Sequence, residues 1–308
     1  MWNLDASAPT VIQARVLTCI PDAFRNAKPT EWVDANKPGH ILDSFLEGPA
    51  FDRAGNLYVT DIPNGRIFKV DAKLQWTLIA NTGGWPNGIA IHADGTLWIS
   101  DYRRGILAVQ PLTGEVSELL AHRNSESFKG VNDLTFDSTG KLYFTDQGQT
   151  GLHDPTGLVY RWDRGNQQLD SLIRNAPSPN GLVLDRDGRT LFVAVTRANA
   201  VWRGPLLPDG SISKVGAFRT FFGTSGPDGM AFDADGRLVV AHASLGCAFV
   251  IAPNGEITHL IRSPAGHTIT NVAFRPGSKE IVMTDSQTGC VLIADMPSQG
   301  LTLYSHQP

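Results

Sequence analysis

Apolar and polar positions along the chain alternate in short bursts, and the bursts recur. Six segments align under one another: EGPAFDRAGNLYVTD from Glu47, NGIAIHADGTLWISD from Asn87, NDLTFDSTGKLYFTD from Asn132, NGLVLDRDGRTLFVAV from Asn180, DGMAFDADGRLVVAH from Asp228 and TNVAFRPGSKEIVMTD from Thr270. Their starts lie 40, 45, 48, 48 and 42 residues apart. Each segment holds a short apolar strand, a turn with glycine (Gly55, Gly95, Gly140, Gly188, Gly236, Gly277) and a second strand, and two further strand-like runs follow it. Aromatic and β-branched residues bounded by Gly, Asn and Asp are strand formers, and the Asp-Gly pairs suit tight hairpins. Four short antiparallel strands in 40 to 48 residues is one propeller blade, so the pattern predicts an all-β, six-bladed β-propeller with four-stranded antiparallel blades. A pair of β-sandwiches would not explain six matched blocks, and Trp162-Asp163 is the single Trp-Asp pair, which excludes a tryptophan-aspartate repeat. The spacing predicts one propeller domain over residues 1–308, blades beginning near 47, 87, 132, 180, 228 and 270. The segment 1–46, with the strand candidate VIQARVLTCI, closes the ring through a strand whose place the pattern leaves open.

Composition narrows the partners. The 308 residues are 42% apolar and 18% charged, with 31 Gly and 19 Pro, which excludes disorder and coiled coil. A net charge of −4 offers no basic patch for nucleic acid or anionic lipid, so the expected partner is a small molecule. Oligomeric state is not legible. Three widely spaced cysteines, Cys19, Cys247 and Cys290, read as reduced thiols. With no signal-peptide pattern at the start and no run of 18 apolar residues, the expected location is cytoplasmic.

One column breaks the pattern of a core. The first positions of the six inner strands are Glu47, Asn87, Asn132, Asn180, Asp228 and Thr270, every one an oxygen donor. Inner strands line a propeller's channel, so these positions converge on the axis at one height. Asn-Gly alone is ordinary turn chemistry, but that does not account for carboxylates in two blades. Two carboxylates and several amide oxygens form a site for one hard divalent cation, Ca²⁺ before Mg²⁺, Mn²⁺, Zn²⁺ or Fe²⁺. Without a cation, Glu47 and Asp228 would repel each other at a high desolvation cost.

These residues resemble the gluconolactonase and regucalcin (senescence marker protein) family of six-bladed propellers, to which diisopropyl fluorophosphatase is structurally related. The resemblance runs from about Glu47 to Asp285, carried by EGPAFD, VNDLTFDSTGKLYFTD, SPNGLVLD and GPDGMAFDADG. It implies that Glu47, Asn180 and Asp228 coordinate a divalent metal and that Asn132 either coordinates it or orients substrate and water. It also implies Asp228 as general base or exchanging ligand. The chain departs at one place: regucalcin-like members carry a sugar-contacting Arg two residues before that Asn, whereas here the position is Gly130, with Lys129 before it.

Around the channel mouth, the loop from Asp146 to Gly157 with His153 and Asp154 is the candidate lid. Asn87, Lys129, His153, Arg103 and His267 are the candidate substrate contacts, with Tyr102, Arg104, Arg197 and His242 nearby. Asp61, Asp101, Asp146 and Asp285, which end the second strand in four blades, read as structural hydrogen-bond acceptors between blades. No HExxH, C-x-x-C, G-x-S-x-G, P-loop or dinucleotide fingerprint occurs. The expected activity is a metal-dependent lactonase, with Asp228 and Asn132 catalytic. Phosphotriester hydrolysis on the same ring, and a binding scaffold with a structural ion, stay open at this point.

Overall fold

A computed structural model describes residues 8–307; the first residues of the segment 1–46 lie outside it. Six blade sheets surround the axis, each with four antiparallel strands running outward, and a separate two-stranded hairpin lies at residues 122–127. Their inner strands are Leu46–Phe51, Pro86–Ile91, Val131–Phe136, Pro179–Leu184, Pro227–Phe232 and Ile269–Phe274, in blades one to six. The six turn glycines joining first to second strands all adopt φ between +64° and +88°, a backbone region that excludes most other residues.

The apolar core lies between blades rather than on the axis. Leu46, Phe51, Val59 and Phe68 of blade one pack against Val282, Val291 and Ile293 of blade six. Equivalent clusters fill the other junctions. Each fully buried Leu, Ile or Phe contributes roughly 1.5–3 kcal/mol, so the flat faces hold the ring together and polar groups are free to occupy its centre.

The amino-terminal segment closes the ring twice over. Arg15–Cys19 forms the outermost strand of blade six, antiparallel to Cys290–Asp295. Thr10–Gln13 adds a fifth strand to blade five, parallel to Ile257–Arg262. Cys19 and Cys290 are register partners and are joined by a disulfide across 271 residues of sequence. The expectation of three reduced thiols is therefore overturned: only the closed ring brings these two together, and with them goes the cysteine argument for a reducing compartment. Cys247 is free and buried. No helix among the described residues is long and apolar enough to cross a membrane.

Two features cap the channel. On one face, the six-residue helix α1 (Glu31–Asn36) lies in the stretch between the closing strand and blade one. On the other, residues 299–307 run as a strap from Phe232, whose carbonyl accepts from Leu301 N at 2.9 Å, to blade one, where Arg53 donates to the Ser305 carbonyl at 2.6 Å. Between strap and axis lies a cavity of about 450 Å³, bordered at its inner end by Asp133 and Asn271.

Candidate active site on the propeller axis

Each inner strand begins with an irregularity in register against its neighbour. In blade three, Val131 pairs with Asp146 and Leu134 with Phe144, so Asn132 and Asp133 together oppose Thr145. Blades two, four and five repeat this geometry at Asn87-Gly88, Asn180-Gly181 and Asp228-Gly229, and blades one and six carry shifts near Gly48 and Thr270. Such bulges re-aim side chains. Here they set two consecutive residues of each blade at the axis. The first column is the one read from the sequence; the second is Gly48, Gly88, Asp133, Gly181, Gly229 and Asn271.

That second column contains functional residues the sequence reading missed. Asp133 and Asn271 project into the ring because their neighbours have no side chain: a Cβ on Gly88 would collide with Asp133 Oδ1, and one on Gly229 with Asn271 Oδ1. Four glycines interrupted by one Asp and one Asn is a visible signal, hidden because Asn-Gly pairs look like turn chemistry.

Hydroxyl groups fix the first column in place. Thr60 Oγ1 donates to the carbonyl of Asn87 at 2.7 Å and Thr145 Oγ1 to that of Asn180 at 2.7 Å, while Ser100 Oγ does the same for Asn132. Each bond crosses from one blade to the next. The neighbouring aspartates act within their own blades instead: Asp61 Oδ1 accepts from Phe45 N at 2.8 Å, Asp101 Oδ1 from Trp85 N at 3.0 Å, Asp146 Oδ1 from Gly130 N at 2.7 Å and Asp285 Oδ2 from Gly266 N at 2.7 Å. They are structural acceptors, but they anchor the entry to each inner strand rather than bridging blades.

Glu47, Asp133 and Asp228 form the charged part of the ring. Glu47 Oε2 accepts from Gly48 N at 2.6 Å and from Asn271 Nδ2 at 2.9 Å. Asp133 Oδ1 accepts from Leu134 N at 2.8 Å, and the Asn180 side chain works against the rise in the Asp228 pKa. Burial raises the Glu47 pKa. Burial, and then the charge of Glu47, pushes Asp133 up to about 8. Asp228 is raised well above the carboxylate range by burial and by the charges of Glu47 and Asp133. Two buried carboxylates and a half-buried third, this close together, strongly oppose ionising all at once without a compensating cation.

No three His, Cys, Asp or Glu side chains among the described residues are gathered into a ready-made metal cluster. The central metal site expected from the sequence is thus not displayed. The donor set nevertheless fits a hard cation: it is all oxygen, anionic, largely buried and mutually repulsive. Glu47, Asp133 and Asp228, with the amides of Asn180 and Asn271, are the residues that could hold one.

Other expected contacts fall elsewhere. Asn132 is buried beside the ring; its Nδ2 donates to Gln147 Oε1 at 2.9 Å, and Gln147 Nε2 donates to Ser178 Oγ at 2.9 Å. Thr270 Oγ1 is bound to Thr284 Oγ1 at 2.9 Å and Ser286 Oγ at 2.7 Å, a packing role. His153 and His267 are exposed, and the loop from Asp146 to Gly157 closes on itself at its tip through a bridge between Gly151 and Asp154. Lys129 is exposed and its Nζ bonds Thr156 Oγ1. Arg103 pairs with Glu31 and stacks on Trp85 at 3.9 Å, anchoring α1 rather than facing substrate. Arg104 bonds the Thr82 carbonyl, and Arg197 is exposed. His242 is fully buried against Phe221 and Phe249, and burial pushes its pKa down to about 4.

The mouth is built from α1 and an aromatic wall. Trp32 packs on Phe45 at 4.7 Å, and Trp85 lies 5.5 Å from Tyr102. Gln149 Nε2 donates to Tyr102 Oη at 3.2 Å and to Asn36 Oδ1 at 3.4 Å, joining blade three, blade two and the helix. The ring of Tyr102 fills the space a side chain at Gly130 would need. The Tyr102 ring therefore packs directly on the backbone of Gly130.

The chain is similar to lactonase drp35 of Staphylococcus haemolyticus (strain JCSC1435), 31% identical over 269 residues that cover 80% of this chain and 82% of that one. Lactonase drp35 of Staphylococcus epidermidis (strain ATCC 12228) is 32% identical over 254 residues, 77% of each. Among solved structures, the calcium-binding protein regucalcin from Agrobacterium tumefaciens superposes with a TM-score of 0.74 at 20% identity, over 96% of this chain and 97% of that one. A gluconolactonase from Xanthomonas campestris gives 0.74 at 20% identity, over 92% and 99%. These structural likenesses show the shared fold. Residues 45–287 match the SMP-30/gluconolactonase/LRE-like region, and the chain belongs to that family.

Proposed function

We propose that this protein is a divalent-cation-dependent lactonase working at the α1 mouth of its channel. The observation that carries the reading is the convergence of two buried carboxylates, Glu47 and Asp228, and the half-buried Asp133 with Asn180 and Asn271 on the axis. Its relatives are named lactonases. The all-oxygen donor set favours Ca²⁺ over softer ions. When bound, such a cation polarises the substrate carbonyl and acidifies water.

The chain's own residues do the rest. Asp228, whose proton affinity is raised by burial and then by the charges of Glu47 and Asp133, takes a proton from the water that adds to the lactone carbonyl. The same proton then goes to the ring oxygen as the acyl C–O bond breaks. Asn132, its Nδ2 committed to Gln147, offers Oδ1 to orient the water. Trp85 and Tyr102 wall the substrate's non-reacting part. This wall favours an apolar or aromatic lactone over a polyhydroxylated one, whose hydroxyls would lack partners.

The test is hydrolysis of aldono-, aliphatic and aromatic lactones and of phosphotriesters after chelation and Ca²⁺ replacement. Turnover of a lactone restored by Ca²⁺ supports the reading. Turnover confined to phosphotriesters, or none with Ca²⁺ bound, would overturn it.

A further inference from the structure

Opening a lactone changes the charge that the site must hold. Water adds across the acyl C–O bond, the bond breaks, the former ring oxygen becomes a hydroxyl, and the new acid releases one proton to solvent at neutral pH. A neutral substrate becomes an anion beside three carboxylates.

The basic side chains near the mouth are mostly committed: Arg103 to Glu31, Arg104 to the Thr82 carbonyl, Lys129 to Thr156. Lys37 is not. It caps the carboxyl end of α1, its backbone N–H donating to the Val33 carbonyl at 2.7 Å. The helix is tied over the mouth by Glu31 to Arg103 of blade two, by Asn36 to Gln149 of blade three, and by Trp32 to Phe45, two residues before Glu47. Lys37 is half-buried, with Nζ 5.9 Å from the centre of the Phe45 ring. Among the described residues it enters no ion pair. A half-buried ammonium without a salt-bridge partner, held over a site that generates carboxylate, is an anion receptor by its chemistry.

We propose that Lys37 binds the carboxylate of the hydroxy-acid product and the negative charge growing on the carbonyl oxygen before it, making α1 a lid with an anion-receiving subsite. The proposal rests on the lactonase reading. Lys37→Met and Lys37→Arg test it, with kcat, KM and inhibition by the hydroxy acid of the best lactone measured alongside Ca²⁺ affinity. Loss of one charge-assisted hydrogen bond corresponds to about a tenfold effect or more. Lys37→Met is expected to weaken product inhibition and lower kcat/KM by about that factor, and Lys37→Arg to restore both. Wild-type protein that opens lactones while Lys37→Met leaves product inhibition unchanged would overturn the subsite alone. Tighter Ca²⁺ binding in Lys37→Met with unchanged inhibition would overturn it too, by showing that Lys37 serves only the ring carboxylates. A wild-type protein that opens no lactone sinks the underlying reading, and the subsite with it.

Discussion

Asn271 Nδ2 donates to Glu47 Oε2 at 2.9 Å, joining the last blade to the first across 224 residues of sequence. This bond can form only when blade six has closed against blade one. Assembly of the site and closure of the propeller are one event.

Asp133 should matter as much as the carboxylates visible in the sequence. Asp133→Ala, Glu47→Ala and Asp228→Ala are each expected to weaken Ca²⁺ binding about a hundredfold or more, the scale of losing one buried charged partner at about 3 kcal/mol. Asn132→Ala should cost turnover with Ca²⁺ affinity nearly intact. Calorimetric titration of Ca²⁺ beside lactone kinetics checks the split. An Asp133→Ala protein that binds Ca²⁺ like wild type would remove Asp133 from the ring.

Gly229→Ala should damage the site through Asn271. The added methyl would occupy the space of Asn271 Oδ1, and overpacking of this kind costs about 1–3 kcal/mol. Thermal denaturation should show that loss together with weaker Ca²⁺ binding, whereas Gly55→Ala, in open space at a turn, should reduce stability through backbone strain alone and leave Ca²⁺ affinity unchanged.

Cation-free protein should lose stability as pH rises. Asp133 holds its proton up to about 8 when folded but loses it near 4 when unfolded. Below pH 4 both states are protonated and the group contributes fully. Between about 4 and 8 the unfolded state binds fewer protons, so stability falls by up to about 1.4 kcal/mol per pH unit for this group. Denaturant melts in chelator at pH 5 and pH 8 measure the slope, and Ca²⁺ should flatten it. A cation-free protein more stable at pH 8 than at pH 5 would contradict the raised pKa.

The disulfide should act as the clasp of the ring. Cys19→Ser or a strong reductant is expected to lower stability by about 2–5 kcal/mol. Hydrogen exchange should rise first in Arg15–Cys19 and its partner strand. Non-reducing peptide mapping that finds both thiols free in the purified protein would dismiss the clasp.

Substrate preference should follow Tyr102 rather than His153. The former stands in the mouth beside Trp85, the latter is exposed. Tyr102→Ala should raise KM for aromatic lactones about tenfold, the value of one well-packed ring, and His153→Ala should leave every constant within twofold.

Much of this molecule is local and periodic, and that part was legible in one dimension. Strand alternation, the turn glycines and the 40- to 48-residue spacing each depend on neighbours a few residues away, so the six blades followed from pattern alone. Glu47 and Asp228 also stood out as carboxylates in a column of six oxygen donors, and the family resemblance added Asn180 to them. What the pattern could not carry depends on register and closure. Asp133 reaches the axis because a bulge in blade three turns it inward and Gly88 of blade two leaves it room. Asn271, rather than Thr270, serves the ring for the matching reason in blade six. Cys19 meets Cys290 only after the first strand joins the last blade. The placing of Arg103 against Glu31, and of Lys37 over the mouth, was decided by a six-residue helix with no repeat to announce it. The sequence by itself determined the blades and one column of donors, because those are set by short-range alternation. The tertiary structure decided which side chains face each other, because that depends on one-residue irregularities and on contacts between the two ends of the chain.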